Sequence, residues 1–319
     1  MRVAVTGASG FVGQAVTTAL LSSQHDVHAV VRSLDKNAPV LAQAVQTFPI
    51  GDIMVDTNWN SALAGVDCVV HCAARTHVIN ETETNVLAAY RAVNVAGTRQ
   101  LAEQAAKMGL RRLVYLSSIK VNFEQTTSAE CVSFPDNAFT EDPYAISKWE
   151  AEQALHEVSA KTSLEVVIIR PPLVYGPGVK GNFLSMLGWL KRGVPLPLGA
   201  IQNQRSLVGI DNLVNLIVTC MDHPAAANQT FLVSDDEDLS TTDLVRQLGA
   251  ALGKPARLIP VPASLLRLAA QMTGNQDMAE RLLGNLQVNI SKTKETLDWA
   301  PLVKMDDGLR KTATWFLSQ

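Results

Sequence analysis

Residues 2–13 read Arg2-Val3-Ala4-Val5-Thr6-Gly7-Ala8-Ser9-Gly10-Phe11-Val12-Gly13. A short apolar run passes into a turn with a glycine at every third position, and Gln14 to Ser22 then has the pattern of a helix. Glycines at 7, 10 and 13 permit a tight strand-to-helix turn whose backbone N–H groups and positive helix end face a pyrophosphate without Cβ interference. The ligand expected there is a dinucleotide. The spacing is GxxGxxG, not the GxGxxG of long dehydrogenases, and its place directly after the first strand gives it meaning.

Further apolar runs at Asp26 to Val31, Asp67 to His71 and Arg112 to Leu116 alternate with helix-like segments, which predicts a parallel sheet wrapped by helices. Two more sheet segments are expected at Glu165 to Ile169 and Gln229 to Val233, separated by a Pro- and Gly-punctuated region from Pro171 to Gly199. Helical periodicity returns at Asp243 to Leu252, Ala263 to Thr273 and Ala279 to Leu286, between breaks at Gly253, Pro255, Pro260 and Pro262. The expected fold class is α/β. A Rossmann-type doubly wound parallel sheet spans 1–175, and a smaller C-terminal substrate-binding lobe spans 176–319, partly interleaved through a returning strand near 204–235.

With 319 residues, 47% of them apolar and 18% charged, the chain can bury a full core. A net charge of −3 offers no basic face for counterion-driven nucleic-acid binding. No apolar run approaches membrane-spanning length and no leader-like segment precedes Val3, so a cytoplasmic protein without nucleic-acid or membrane partners is expected. Cys68 and Cys72 fall four steps apart on one apparent strand, about 13 Å and beyond disulfide reach. Cys131 and Cys220 are isolated, and no metal-ligand spacing occurs, so no metal is expected. His71 reads as a strand-core residue; His25, His28, His77, His156 and His223 form no cluster.

The chemistry is read from Pro143-Tyr144-Ala145-Ile146-Ser147-Lys148, where Tyr144 and Lys148, four apart, project from one helix face. An ammonium there is expected to lower the phenol pKa, so that Tyr144 exchanges a proton with a sugar or alcohol hydroxyl while a nicotinamide carries the hydride. Ser117 and Ser118 follow the run ending at Leu116, on the side of the sheet that holds the glycine turn, and one of them can orient the reacting oxygen.

With these residues in place the chain resembles the extended short-chain dehydrogenase/reductase family, the nucleotide-sugar epimerases, dehydratases and reductases, over nearly its whole length. The resemblance rests on TGASGFVG at 6–13, Gly51-Asp52-Ile53, His71-Cys72-Ala73-Ala74, Asn94 in VNVAGT, LSS at 116–118, YAISK at 144–148 and RPPLVYGPG from Arg170 to Gly178. It implies a catalytic trio of Ser118, Tyr144 and Lys148. It also implies a cofactor site of Gly7, Ser9, Gly10, Phe11, Val12, Gly13, Asp52, Ile53, Cys72, Ala73, Ala74, Asn94, Tyr144, Lys148 and Pro171. Substrate contacts are implied for Ser117, Asn182, Arg205 and Arg281, the three in the second lobe holding the uracil side and diphosphate of a nucleotide sugar. Relatives commonly dimerise, which here implies a homodimer through helices spanning Val86 to Lys107 and Tyr144 to Ala160.

NAD-using relatives close the second strand with an Asp; here that place holds Val31, followed by Arg32 and Ser33. Arg32 can pair with a 2′-phosphate and stack on adenine, so NADP(H) is favoured, with NAD(H) as the alternative. Ile119-Lys120 stands where 4,6-dehydratases carry Asp-Glu, which disfavours that elimination. The expected reaction is hydride transfer at C4 of a UDP-hexose or its N-acetylated or 6-deoxy form, by an NADPH-dependent 4-ketoreductase. The alternative is a UDP-sugar 4-epimerase with tightly bound NAD, and a non-catalytic NADP-binding regulator is the remote third reading.

Overall fold

The apolar runs named above lack polar alternation, so in a strand they leave both faces to be covered, the mark of a parallel sheet between helix layers. The computed structural model describes residues 1–34, 45–76, 85–122, 141–274 and 276–319; Cys131 and His77 lie outside them. Strands β1 (Arg2–Thr6), β2 (Asp26–Val31), β3 (Gln46–Pro49), β4 (Cys68–His71), β5 (Arg112–Leu116) and β6 (Glu165–Arg170) alternate with α1 (Phe11–Ser22), α2 (Asn60–Leu63), α3 (Val86–Tyr90), α4 (Thr98–Lys107) and α5 (Pro143–Lys161). The chain then leaves through β7 (Leu173–Tyr175), α6 (Gly181–Arg192) and β8 (Arg205–Gly209), and α7 (Ile210–Asp222) returns it to β9 (Thr230–Leu232). After β10 (Asp238–Leu239) follow α8 (Thr241–Ala251), α9 (Ala263–Met272), α10 (Gln276–Leu283), α11 (Ser291–Leu297) and α12 (Met305–Leu317).

The large sheet has the order β3-β2-β1-β4-β5-β6-β9, with every pair parallel, and is the doubly wound arrangement expected. The small edge strand β3 was not foreseen. The order reverses at β1 and β4, so the chain diverges from their carboxyl ends and leaves a crevice there. One sheet face packs Val3, Val5, Val70 and Val114 against Val16, Leu20, Leu213 and Ile217 of α1 and α7. The other packs Ala4, Val69, Leu113 and Tyr115 against Leu101, Ala105, Ala151 and Leu155 of α4 and α5. A second sheet, β10-β8-β7, belongs to the C-terminal part, whose own core joins Phe183, Leu187, Leu190, Leu207, Val245, Leu248 and Leu309.

Between α3 and α4 the helix widens into a π-helical turn over Arg91–Gly97, the kind of bulge that re-aims side chains beside functional sites. Gly97 is required there, because a Cβ would stand 2.3 Å from Ile53 Cγ2.

Candidate active site

At the crevice, Gly7 adopts a left-handed φ of +66°, and a Cβ on it would meet Ala73 N and Cα at 2.9 Å. A Cβ on Gly13 would lie 2.1 Å from the Gly7 carbonyl oxygen. Both glycines are therefore fixed by the close approach of α1 to the ends of β1 and β4. Gly10, in extended conformation, opens α1 without a side-chain cap, which leaves the first-turn N–H groups facing the crevice.

The turn opens onto a cleft of about 1590 Å³ lined by Gly7, Ser9, Gly10, Phe11, Val12, Gly13, Arg32, Asp52, Ile53, Cys72, Ala73, Ala74, Ser117, Tyr144 and Lys148. That volume exceeds an ordinary small-molecule pocket and suits a dinucleotide with a second ligand. The glycine cradle, filled by any Cβ, and the uncapped helix start fit a dinucleotide pyrophosphate.

At the ends of β1 and β4, Thr6 Oγ1 accepts from Ala73 N–H at 3.2 Å and lies 2.6 Å from His71 Nδ1, whose Nε2 is 3.0 Å from Thr98 Oγ1. Burial, with the Lys148 charge second, holds His71 down to about 3, so it stays neutral and ties β1, β4 and α4 together. Burial likewise pushes the Cys72 thiol up to about 12, an unreactive group in the cleft wall.

Asp142 caps α5, its carboxylate accepting from Tyr144 N–H at 2.9 Å, and Pro143 supplies the preset φ of the first turn. This fixes the helix start and thereby aims Tyr144 and, one turn on, Lys148 at the cleft. Lys148 Nζ donates to the Leu116 carbonyl at 2.6 Å and lies 4.1 Å from the Tyr115 ring centroid. It is 1% exposed, and burial draws it down to about 7 from its ordinary 10.5. The Tyr144 phenol is pushed up to about 12, chiefly by burial and then by Asp142 and Tyr90, while its hydrogen bond to Ser118 opposes the rise. The expected depression of the phenol is thus reversed in the protein alone, because desolvation of the anion outweighs every favourable contact.

Ser118 also accepts from Lys120 N–H at 3.3 Å, capping the 3₁₀ turn over Ile119–Val121. Ser117 lines the cleft. Its hydroxyl donates to the Glu152 carboxylate, which in turn forms a buried pair with Arg170, the Arg170 Nε to Glu152 Oε1 distance being 3.0 Å. Arg170 Nη1 adds a bond to Asn122 Oδ1 at 3.0 Å. This network under the serine turn was not singled out from the sequence. Glu152 follows Lys148 by four residues, so the helical spacing that paired Tyr144 with Lys148 could have found it.

Other expected positions are placed differently. Asn94 is 1% exposed, and its amide accepts from Arg75 N–H at 2.8 Å and donates to Ser147 Oγ at 2.9 Å. It fastens the chain after β4 onto α5 and does not line the cleft, because the π turn directs it inward. Pro171 is buried; its carbonyl accepts from Ile119 N–H at 3.0 Å and supports the Ser118 turn. Arg32 Nε lies 3.0 Å from Asp52 Oδ1 at the exposed cleft rim.

In the second lobe, Asn182 is exposed at the start of α6, and half-buried Arg205 donates from Nη1 to the Gly284 carbonyl at 2.9 Å. Arg281 is exposed on α10. None of the three lines the cleft. Lys180, directly before α6, does line it and was not foreseen, although its place beside Gly178 and Gly181 made it readable as the lobe's entry to the site.

The fold and this cleft define an extended short-chain dehydrogenase/reductase. Residues 3–234 match the model described as "NAD dependent epimerase/dehydratase family", and the chain belongs to that family. Over 318 residues, 99% of the chain and 95% of the relative, it is 47% identical to UDP-glucose 4-epimerase of Vibrio cholerae. It is 30% identical over 272 residues, 83% of the chain and 77% of the relative, to N-acetyl-alpha-D-glucosaminyl-diphospho-ditrans,octacis-undecaprenol 4-epimerase of Escherichia coli O157:H7. UDP-glucuronic acid 4-epimerase from Bacillus cereus, solved with NAD, shares the fold with a TM-score of 0.80 at 21% identity, over 100% of this chain and 99% of that one.

Proposed function

We propose that the protein interconverts the C4 epimers of a UDP-hexose, UDP-glucose and UDP-galactose, with NAD as a retained cofactor. The observation that carries this reading is the end-to-end similarity to the Vibrio cholerae UDP-glucose 4-epimerase, together with Tyr144 and Lys148 lining the cleft and Ser118 hydrogen-bonded to the Tyr144 phenol. The 4-ketoreductase reading gives way to it. The NADPH preference inferred from Arg32 gives way as well. Asp52 beside Arg32 sets a negative charge next to the guanidinium that a 2′-phosphate would need. That pair is exposed and weak, so family membership carries more of the NAD reading.

When bound, the nicotinamide supplies reversible acceptance of the C4 hydride. Tyr144, as phenolate, would take the O4 proton and give it back to O4 once the 4-ketone has turned its other face toward the hydride, and Ser118 would hydrogen-bond O4 and the phenol. In the protein alone burial holds the proton on the Tyr144 phenol and draws the Lys148 ammonium down to about 7, so the phenolate that accepts the O4 proton requires the positive charge of Lys148, one helical turn on. Lys148 fixes the cofactor ribose and carries the positive charge whose return favours phenolate. Gly7, Gly10 and Gly13 hold the pyrophosphate, and Lys180 reaches the substrate diphosphate from the α6 side.

The test is proton NMR of UDP-galactose incubated with purified protein and no added nucleotide cofactor. Equilibration with UDP-glucose is expected. Absence of interconversion, or turnover only of a 4-keto sugar with stoichiometric loss of NADPH, overturns the proposal.

A further inference from the structure

Helix α9 is apolar on two opposed faces. Ala263, Leu266 and Ala270 pack on the core of the second lobe. On the far side Leu265, Leu268 and Met272 stand 56%, 54% and 82% exposed. With Ala269 they follow the spacing of a single helical stripe. Beside the helix, Ile259 is 50% exposed in the segment that bridges back to Leu196, where Leu196 N–H donates to the Arg257 carbonyl and Ile259 N–H to the Leu196 carbonyl, both at 2.8 Å. Trp189 and Val194, shortly before Leu196 in the same chain, are further exposed apolar side chains. Large apolar side chains gathered this way mark a contact surface more than a chance of solvation.

The charge around this face is predominantly basic, its one acidic contact among the described residues being Glu280 of α10, which is paired with Arg267 of α9 at 3.2 Å. No Asp or Glu occurs from Lys180 to Arg205 or from Leu244 to Gln276, although the whole chain is acidic at −3. Lys191, Arg192, Lys254 and Arg257 lie in those acid-free stretches, and Lys254 Nζ donates to the Lys191 carbonyl at 2.8 Å, which ties the two stretches into one border. A stripe of leucine and methionine bordered by lysine and arginine is complementary to an anionic bilayer: the apolar residues enter the headgroup boundary and the cations meet the lipid phosphates.

We propose that the α9 face of the second lobe docks peripherally on anionic membrane surfaces. No helix among the described residues is long and apolar enough to cross a membrane, so the contact is interfacial. This goes beyond the expectation of no membrane partner, which looked for a spanning run and a whole-chain charge excess. It is independent of the reading of the cleft, from which these residues are absent.

Co-sedimentation with vesicles of equal parts phosphatidylglycerol and phosphatidylcholine tests it, against pure phosphatidylcholine. Wild type should partition onto the anionic vesicles roughly tenfold or more over the neutral ones, and high salt should remove most of the difference, since each surface cation strengthens such binding by roughly fivefold. Arg192→Glu/Arg257→Glu and Leu268→Asp/Met272→Asp should each lower binding at least tenfold while UDP-hexose turnover in solution stays at the wild-type rate. The single change Met272→Ser, at a side chain with almost no packing, should weaken binding severalfold and serves if a double variant melts early. Equal or absent binding of wild type to both vesicles overturns the proposal, as does wild-type binding by the variants. So does light scattering in which the aspartate variants dissociate a wild-type oligomer, because the stripe is then buried between copies of the chain.

Discussion

At the carboxyl end of the large sheet, charge is held by short-range devices. Gly7 and Gly13 close on each other, Asp142 caps the helix that carries Tyr144, and Glu152, four residues after Lys148, pairs with Arg170 one strand away. In the second lobe the charged residues expected at the substrate are spread over β8 and α10, and Arg205 is held by a carbonyl from a segment far along the chain. The first region aligns its groups before any ligand arrives; the second depends on where α6 and the loops around Gly284 are carried by the rest of the fold. Preorganisation is therefore uneven between the cleft and the C-terminal part, and substitutions should divide along that line.

The largest effect belongs to the first region. Tyr144→Phe should lower epimerisation by roughly 10²–10⁴ with near-normal cofactor binding, measured as turnover beside calorimetric titration, because positioned proton transfer is worth that much. Turnover within a few-fold of wild type would remove Tyr144 from the chemistry. Next comes the buried pair. Glu152→Ala leaves Arg170 uncompensated at 5% exposure and should cost about 3–5 kcal/mol of stability in denaturant titration, with Ser117 losing its acceptor too. A loss under about 1 kcal/mol would mean that the network does not hold the serine turn.

In the second region the effects should be smaller. Arg205→Ala should weaken UDP affinity by about tenfold if the guanidinium turns from the Gly284 carbonyl to a diphosphate, and Arg281→Ala by less than about twofold, because charge-assisted contacts count only where they are made. Calorimetry on both variants decides it, and equal effects would erase the proposed contrast.

The pH dependence of stability gives a gentler test of the first region. Lys148 sits near 7 in the folded protein and 10.5 unfolded. Between those values the unfolded chain binds more protons, so this group makes stability rise with pH, by at most about 1.4 kcal/mol per unit. The difference between wild type and Lys148→Met should grow in wild type's favour from pH 7 to pH 9.5. A difference that shrinks over that range contradicts the burial of Lys148.

The same division governs what could be read from the sequence. β2 and β5 have the bounds expected, and the glycine turn, the Tyr144 helix and the Ser117-Ser118 end of β5 were legible, because each depends on local periodicity or a turn. Asn94 was misassigned because the π turn rotates it toward Arg75 and Ser147, which no helical period foretells. The bond of Ser117 to Glu152 was not legible because the acceptor comes from another element. The phenol's shift was misjudged in sign because spacing announces a neighbouring ammonium but not the depth of burial. The α9 stripe was visible as a helical period, but which of its two apolar faces meets solvent is decided by the tertiary fold alone.

The return of β9 to the large sheet makes the protein hard to build in pieces. Thr230, Phe231 and Leu232 pair with Ile168, Ile169 and Arg170 only after β7, α6, β8 and α7 have been made. During synthesis from the ribosome, the outer edge of β6 therefore waits with open N–H and C=O groups while that whole excursion emerges, an interval in which strangers can pair with it. A gene cut after residue 175 would leave that edge permanently bare, so the two halves of the cleft are inherited, exchanged or engineered together or not at all.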